Sequence, residues 1–497
     1  LGNITYIGKS AFAGSAIQKI TIGKYVTKID ESAFDGCTNL QEVTFEKGGN
    51  SGLQIIRYAF RGCTSLQSIE LPRRVRNVET YNSYGNISSV TAGVGESCFE
   101  GCTSLSSVTF EQTGAWLLKE ALSLGKSAFK NCTSLTSISI PSYVYTRAVA
   151  SSYSTTYYYG LSDYCFSGCT ALNSVVFEGY DQSTSYYIGA YVFENCTALR
   201  SIEIPSTLYM VSNTKGLFSG CTALEEAVFS GNGWSYNTDQ LIFKGCSALK
   251  KVTITGGISG AIGMNAFVDC PELETVQVTG EINYIGKSAF KGCTKLQSFV
   301  VPETCLTIYD NAFEGCTGLT GLTLGASLKT INAEAFKDCT GLQTVTISRY
   351  VATIGEGGCT ALTAIEVAEE NLTYKSADGN LYSADGTQLI RYAAGKTAES
   401  FAVPEGVTTI CAGAFKDCAA LKNVTIPESV TTVEAGAFAG WTAEQSISVV
   451  FADASQTPAG WASGWSADAG INYTASGESD TDEIVGEGAE GDVVENA

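Results

Sequence analysis

Cysteine is the one abundant reactive side chain in this sequence, which contains 18 cysteines and no histidine. Without histidine the chain has no imidazole for a Ser-His-Asp or Cys-His arrangement, for general-base catalysis or for metal ligation. Its carboxylates are too numerous to single out the acid and base of a glycosidase. The composition therefore indicates a protein that is not an enzyme.

Two short motifs have the appearance of ligand sites. Gly-Lys-Ser at 8–10, 125–127 and 286–288 resembles the end of a phosphate-binding loop, but Asn3 and Glu281 stand where such a loop needs its first glycine. Asp-Gly at 378–379 and 385–386 lacks the run of ligands of a calcium loop and fits hairpin turns better. The sequence predicts no cofactor and no metal site.

Fourteen cysteines recur at one position of a repeated pattern, with a spacing of 23 residues between neighbours from Cys270 to Cys339. This periodicity predicts a stacked column of buried small side chains rather than disulfides. The remaining cysteines are Cys98, Cys165, Cys305 and Cys411. Cys98 and Cys165 each precede a column cysteine by four residues. Such pairs could form a bridge or bind a metal ion, but substitution into a core position in place of alanine is the simpler interpretation.

The repeat is cleanest in Ile285–Glu303, IGKSAFKGCTKLQSFVVPE. Phe290, Cys293 and Leu296 are spaced by three, as in a helical or 3₁₀ turn with one buried face. Phe299 and Val301 alternate with polar residues, as in a half-buried strand, and Pro302 ends the pairing. Such a unit cannot bury its apolar face alone, so it must stack on copies of itself.

The recurring pattern IG-x-x-AF-x-x-C-T-x-L-x-x-V-x-I-P resembles the leucine-rich repeats of BspA-like surface proteins of anaerobic oral and gut bacteria, over about residues 4–451. The resemblance implies an α/β-type leucine-rich repeat solenoid. It would be a right-handed coil of roughly 17 turns, with a parallel sheet on its concave face and short helical or 3₁₀ turns opposite.

The expected domains follow from where the repeat is regular. Residues 1–445 form the solenoid, with a hairpin island inserted at 369–400, and residues 446–474 form a C-terminal capping unit. Residues 475–497 are acidic, glycine-rich and lack aromatic residues, which predicts a disordered tail. Leu1 falls inside the arm of a coil, so we expect the natural chain to begin upstream, where a signal peptide could precede it.

The balance of charges is strongly acidic, with 50 Asp and Glu against 30 Lys and Arg and a net charge of −20. Such a balance argues against binding to nucleic acid or to anionic lipid surfaces. No apolar run approaches the ~18 residues of a membrane span, so we expect no membrane insertion. We also expect a monomer.

Inserted segments lengthen the coils between Cys37 and Cys246, and nearly all the extra residues follow the strand. Tyrosine, serine, glycine and asparagine dominate them, as in binding loops, although the same tyrosines could simply cover the edge of the coil. The candidate ligand-binding residues are the aromatic residues of these insertions: Tyr81, Tyr84, Tyr143, Tyr145, Tyr153, Tyr157, Tyr158, Tyr159, Tyr186, Tyr187, Trp234 and Tyr236.

The concave strand face is a second candidate surface. Its outward residues include Glu42, Thr44, Glu70, Thr109, Ser139, Glu203, Thr253, Gln277 and Thr346, but a solvated sheet face is the better explanation of them. The functional expectation is a secreted or cell-surface protein that adheres to host or bacterial surface proteins. A carbohydrate-binding or spacer module of a larger surface protein is the alternative.

Overall fold

The computed structural model describes residues 4–49, 52–81, 83, 87–111, 121–144, 147–150, 155–158, 160–178, 186–206, 208–209, 214–230, 241–255, 260–451 and 457–475. For 87–88, 147–150, 155–158, 186–187, 209, 260 and 475 only the backbone is described. The chain forms two compact units. Unit 1 is Leu1–Ala384 with Ala393–Lys396, and unit 2 is Asp385–Tyr392 with Thr397–Ala497.

One strand per coil builds the main ladder, and its hydrogen-bonded neighbours run parallel. In unit 1 these strands are β2 (Lys19–Ile22), β4 (Glu42–Phe45), β6 (Ser68–Leu71), β9 (Ser107–Phe110), β10 (Ser137–Pro141), β13 (Ser174–Glu178), β15 (Ser201–Ile204), β17 (Glu226–Phe229), β18 (Lys251–Ile254), β20 (Thr275–Val278), β22 (Ser298–Val300), β24 (Gly321–Thr323), β26 (Thr344–Ile347) and β28 (Ala364–Val367). In unit 2 they are β32 (Ser400–Ala402), β34 (Asn423–Ile426), β36 (Ser446–Phe451) and β37 (Gly470–Ala475).

Shorter strands form a second parallel ladder along the coils. They are β1 (Tyr6–Ile7), β3 (Lys28–Ile29), β5 (Gln54–Ile55), β14 (Tyr186–Tyr187), β16 (Leu208–Tyr209), β19 (Gly260–Ile262), β21 (Ile282–Ile285), β23 (Thr307–Ile308), β25 (Thr330–Ile331) and β27 (Thr353–Ile354) in unit 1, and β33 (Thr409–Ile410) and β35 (Thr432–Val433) in unit 2. The parallel solenoid of about 17 coils expected from the sequence is confirmed.

Antiparallel hairpins interrupt this pattern. Two lie in the inserted segments, β7 (Val78–Tyr81) with β8 (Ile87–Thr91), and β11 (Arg147–Ala150) with β12 (Thr155–Tyr158). The third, β29 (Tyr374–Ala377) with β30 (Asn380–Ser383), falls within the expected island at 369–400. Strand β31 (Gln388–Arg391) pairs with β33 in unit 2. The predicted boundaries of the island and of the capping unit at 446–474 stay predictions, and residues 476–497 of the predicted tail lie outside the described residues.

The segment around each Ala-Phe pair forms hydrogen-bonded turns, and the described residues contain no helix of either expected kind. Two positions four residues apart adopt left-handed backbone angles, Ser288 (φ 53°) and Gly292 (φ 78°) in the cleanest coil, and these break any helical run. The N–H groups of Ser288, Phe290 and Gly292 donate to the next coil at Asp310, Ala312 and Glu314, over 3.0, 2.7 and 2.8 Å. The neighbouring coil, rather than a helix, therefore satisfies this backbone.

Phenylalanine rings stack face to face through the core of unit 1. From Phe12 to Phe336, neighbouring rings lie 4.9 to 5.8 Å apart between centroids, with interplanar angles of 1 to 18°. The column ends there because the next coil, Ile354–Cys359, lacks the Ala-Phe pair. Each stacked ring buries apolar area and gains a further aromatic contact worth about 0.5–1.5 kcal/mol.

The predicted cysteine column lies beside the phenylalanine column. All 18 cysteines fall within the described residues, none forms a disulfide, and all but the half-buried Cys411 are buried. From Cys37 to Cys339, each column thiol donates to the phenylalanine carbonyl of the preceding coil, over 2.9 to 3.3 Å. Burial raises the pKa of the Cys169, Cys221 and Cys316 thiols to about 12, which keeps them protonated.

Trp441 in unit 2 stands where the repeat has cysteine, and it makes the equivalent hydrogen bond. Its indole Nε1 donates to the Phe415 carbonyl over 2.9 Å, and the side chain is 2% exposed. Edge-to-face contacts connect it to Phe438, which in turn contacts Trp465. From Cys37 to Cys339 and again at Trp441, this repeat position therefore supplies a buried donor to the preceding phenylalanine carbonyl, from a thiol or from an indole.

The thiol column predicts a loss of stability in alkali. An exposed thiol has a pKa of about 8.5, and burial raises the pKa of the folded-state thiols above that value. Their stabilisation is complete below about pH 8.5 and is lost as the pH rises toward the folded-state values, at about 1.4 kcal/mol per thiol one pH unit above the unfolded-state pKa. In circular dichroism melts, Tm should fall steeply between about pH 8 and about pH 9.5. A Tm that stays constant over this range would contradict the role of the column.

Replacing Trp441 by phenylalanine should isolate the hydrogen bond to Phe415, because the ring is kept and the N–H is lost. We expect the free energy of unfolding to fall by about 1–3 kcal/mol, the cost of an unsatisfied buried acceptor plus a small void. Denaturant unfolding measures this change. Tyr25→Phe, on a ring that is 50% exposed, is the control and should leave stability unchanged. Equal stability of wild type and Trp441→Phe would show that the indole N–H has no role.

Candidate functional site

The described hairpins of the inserted segments leave the solenoid along one edge, between the main and the short ladder. Where the coils are longest, parallel bridges from Ile55 through Val94, Leu124 and Leu161 to Ile188 continue the short ladder. The two hairpin insertions lie between the end of a main strand and one of these bridges, before Val94 and before Leu161. These lengthened coils therefore keep their register beneath the insertions.

Two of these insertions form β-hairpins that stand next to each other. Strand β7 pairs with β8, and β11 pairs with β12, while β8 and β11 lie in contact. The β11–β12 pair is regular over four residue pairs, whereas β7–β8 shifts register between Thr80 and Tyr81. The edge thus carries an ordered array of strands.

The β7 strand is exposed to solvent on both of its faces. Val78, at the start of the strand, is 41% exposed, and Tyr81, at its end and on the opposite face, is 60% exposed. The Tyr81 hydroxyl donates to Glu79 Oε2 over 2.8 Å, and the hydroxyls of Thr80 and Ser89 are 2.7 Å apart. An aromatic ring held by a carboxylate partner is oriented before any ligand arrives, which lowers the entropic cost of binding.

Asn77 fastens the base of the β7–β8 hairpin to the next coil. Its Oδ1 accepts from the N–H groups of Gly93 and Ser123, at 3.0 and 2.8 Å, and its Nδ2 donates to Ser123 Oγ at 2.9 Å. Ser123 is 2% exposed. One side chain therefore ties both legs of the hairpin to the adjacent coil. The repeat has no asparagine at this position, so the pattern alone could not reveal it.

Of the two predicted loop residues whose side chains the structure describes, Tyr143 lies in the core. It is 5% exposed, its ring meets Phe110 edge to face at 6.5 Å, and the Arg73 guanidinium lies 3.9 Å from the ring centroid. Burial raises the pKa of Tyr143 to about 12. For this residue the structure favours covering of the coil edge, the alternative to ligand binding that the composition left open.

The other ten predicted residues fall into two groups, those with only their backbone described and those outside the described residues. Tyr157, Tyr158, Tyr186 and Tyr187 lie in strands β12 and β14, of which the backbone is described. Tyr84, Tyr145, Tyr153, Tyr159, Trp234 and Tyr236 lie outside the described residues. The assignment of these ten residues to ligand binding stays a prediction.

A pair of tyrosines that the sequence analysis did not single out lies next to the insertions. Tyr164 and Tyr191 stack with their centroids 5.0 Å apart and an interplanar angle of 8°, and Lys130 Nζ lies 5.5 Å from the Tyr164 centroid. Both have left-handed backbone angles, φ 59° and 56°, which a bulky residue adopts at a cost. The signal in the sequence is tyrosine at the position where most coils have serine, asparagine or glycine.

The outward side of the main ladder alternates as expected. Of the nine outward residues predicted, Glu42, Thr44, Glu70, Thr109, Glu203, Gln277 and Thr346 are exposed, and Ser139 and Thr253 are half-buried. Charged groups on neighbouring coils pair with each other: Glu225 binds Arg200 and Lys250 at 3.0 and 3.1 Å. Hydrogen bonding to Lys250 lowers the pKa of Glu225. Exposed pairs of this kind favour one stacking register and add little stability.

A shallow open groove of about 560 Å³ lies on the same unit, lined by Glu274, Thr294, Lys295, Gln297, Gly318 and Thr320. Lys295 Nζ binds Glu272 at 2.6 Å, so its charge is already paired. Among the described residues, no three Cys, Asp or Glu side chains could hold a metal ion together. The paired cysteines Cys98 and Cys102, like Cys165 and Cys169, are buried free thiols.

Asn77→Ala should loosen the hairpin base, because the buried N–H of Ser123 loses its acceptor. We expect a loss of about 1–3 kcal/mol in the local opening free energy, seen as faster amide hydrogen exchange across Val78–Thr91. Asn39→Ala, on an exposed asparagine of a regular turn, is the control and should leave this exchange unchanged. Equal protection in both variants would show that Asn77 does not hold the hairpin.

The described part of the chain contains no helix long and apolar enough to cross a membrane. No curated protein matches the sequence. Among solved structures, a leucine-rich repeat protein from Bacteroides ovatus is 25% identical, with 69% of this chain and 82% of that chain covered and a TM-score of 0.47. A leucine-rich cell surface protein from Faecalibacterium prausnitzii is 22% identical, with 68% and 88% covered and a TM-score of 0.37. The pneumococcal vaccine antigen PcpA is 18% identical, with 58% and 80% covered and a TM-score of 0.37.

The model of the BspA-type leucine-rich repeat region matches in six copies, over residues 5–111, 83–154, 125–260, 159–293, 260–377 and 392–452. These matches span both units and nearly all of the described coils. Leucine-rich repeat proteins are typically binding scaffolds for other proteins rather than enzymes. On the strength of its repeat, its stacked parallel strands and these matches, the chain belongs to the BspA-type leucine-rich repeat family.

Proposed function

We propose that this protein is a non-enzymatic adhesion protein that binds other proteins through the hairpins of its inserted edge. The observation that carries the proposal is the pair of adjacent hairpins β7–β8 and β11–β12, which leave one edge of a rigid repeat scaffold. Solenoids place their insertions on one face and often bind there. A scaffold that keeps its register beneath such insertions presents them in a fixed array.

Exposure of an oriented aromatic residue supports this proposal. Tyr81 is 60% exposed and hydrogen-bonded to Glu79, at the end of a strand that Asn77 anchors from below. Tyrosine offers a large contact area with few rotamers to freeze, and serine, glycine and asparagine offer adaptable hydrogen bonds. A ring whose only purpose was to cover the coil edge would be buried, as Tyr143 is at 5% exposure.

The partners proposed are proteins on host or bacterial surfaces, and the location proposed is outside the cell. The Faecalibacterium protein similar to this chain is a cell surface protein, and a column of free thiols suits an anaerobic habitat. The proposal takes the binding protein as a monomer. The alternative from the sequence, a carbohydrate-binding or spacer module, becomes an outcome of the test below.

Replacing residues 145–159 by a short Gly-Ser turn should abolish strands β11 and β12 and leave the coils intact. Binding to a decellularised extracellular-matrix preparation and to whole bacterial cells should weaken at least about tenfold, or about 1.4 kcal/mol. Surface plasmon resonance and a cell-binding assay measure this effect. The Tm should stay the same, since the insertion lies outside the stacked ladders.

A matched pair of tyrosine substitutions makes the test specific. Tyr81→Ser removes an exposed ring from a hairpin, and Tyr350→Ser removes a ring of similar exposure, 52%, from a regular coil. Only Tyr81→Ser should weaken binding. If the loop replacement and Tyr81→Ser both leave binding unchanged, the hairpins are not the site. Hits on a glycan array that vanish in Trp234→Ala and Tyr158→Ala would favour the carbohydrate-binding alternative instead.

A further inference from the structure

Strand β37 leaves one edge of the main ladder in unit 2 without a partner among the described strands. It pairs with β36 in unbroken register over six residue pairs, and Gly470 N–H donates to the Gln445 carbonyl over 2.9 Å. Along a parallel strand, successive residues direct their N–H and C=O groups to the two neighbouring strands in turn. The peptide groups of Ile471, Tyr473 and Ala475 therefore point away from β36.

This edge lacks the features that usually prevent strand pairing between molecules. Proteins protect open edges with lysine, proline, bulges or inward-pointing charges. Gly470–Ala475, GINYTA, contains neither a charged residue nor proline, and its register with β36 has no bulge. Asn472 and Thr474 are exposed, and Ile471 and Tyr473 are half-buried. A regular, uncharged strand of six residues is a good template for another strand.

Charge is concentrated directly after this strand in the sequence. Residues 476–497 contain eight carboxylates and no lysine or arginine, in a chain whose net charge is −20. Like charge of this density keeps copies of a protein apart, and the repulsion weakens as salt shortens the Debye length from about 30 Å at 0.01 M to about 3 Å at 1 M. The protection missing from the strand is thus present in the segment that follows it.

We propose that the outer edge of β37 is a self-association surface, which pairs antiparallel with the same edge of a second copy, and that the acidic segment 476–497 holds the copies apart at low ionic strength. An antiparallel pair of identical strands has two-fold symmetry, so every residue of an uncharged edge meets an equally uncharged partner. In this arrangement Tyr473 lies opposite Tyr473 of the second copy, and Asn472 lies opposite Thr474. Each acidic segment adds eight carboxylates to the repulsion between two anionic molecules.

Deletion of residues 476–497 tests the proposal with the protein itself as the probe. Sedimentation velocity at about 0.01 M and about 1 M NaCl spans the range over which repulsion is screened. The shortened chain should dimerise at low salt. The chain of residues 1–497 should be monomeric at low salt and dimeric at high salt, with an association constant at least about tenfold higher at high salt, or about 1.4 kcal/mol. Replacing the eight carboxylates by Asn and Gln should reproduce the deletion.

A pair of charge variants of the shortened chain locates the surface. Asn472→Glu with Thr474→Glu adds like charges on β37 and should restore the monomer. Thr275→Glu with Gln277→Glu adds the same charge on the internal strand β20 and should leave the dimer intact. A melt confirms that both variants fold. The proposal fails if the shortened chain is monomeric at both salt concentrations, or if the β37 variant dimerises as well as the β20 variant, since the contact would then lie elsewhere.

Discussion

Each coil depends on its neighbour for the hydrogen-bond partners of its turn. The N–H groups of Ser288, Phe290 and Gly292 have no acceptor within their own coil and donate to the next one. Buried backbone groups without partners cost more than a formed hydrogen bond gains. Stacking is therefore required by the polar backbone as well as by the apolar side chains, and the phenylalanine and cysteine columns follow from the same register.

The carbonyl oxygen beside each column thiol shows how one coil depends on the next. The Phe267 carbonyl accepts from the Cys270 N–H within its own coil and from the Cys293 thiol of the next, over 3.3 Å for each. Where cysteine is absent, Trp441 supplies the second donor. A small apolar residue such as alanine would fill much of the space but leave the second lone pair unused. The preference for cysteine thus comes from a requirement for a compact donor as well as from hydrophobicity.

Much of the fold could be predicted from the sequence because the length of one coil can be measured from the spacing of the repeated residues. Spacing of the cysteines gave the coil length, and alternation around Phe299 gave the strand. The helical turns expected around Phe290 were wrong, because spacing by three does not reveal that Ser288 and Gly292 take left-handed backbone angles. Those angles depend on acceptors in the next coil, which are far away in sequence.

The candidate site was less predictable, because its order comes from individual contacts outside the repeat. Excess length identified the coils that carry insertions but did not separate Tyr143, which packs against Phe110, from Tyr81, which is exposed. Nor did it point to Asn77, whose role depends on the position of Ser123 in another coil. The stacking of Tyr164 on Tyr191 likewise depends on a contact between coils that the repeat pattern does not show. The repeat discloses what is common to all coils, whereas the proposed binding edge consists of what differs between them.

The uniform direction of the turn hydrogen bonds has an electrical consequence. In coil after coil of unit 1, as at Ser288, Phe290 and Gly292, the N–H groups point toward later residues and the carbonyls toward earlier ones. Peptide dipoles aligned in this way add up, as they do along an α-helix. The described coils of unit 1, which contain no helix, therefore carry a row of parallel dipoles, with a positive end at the later coils and a negative end at the earlier ones.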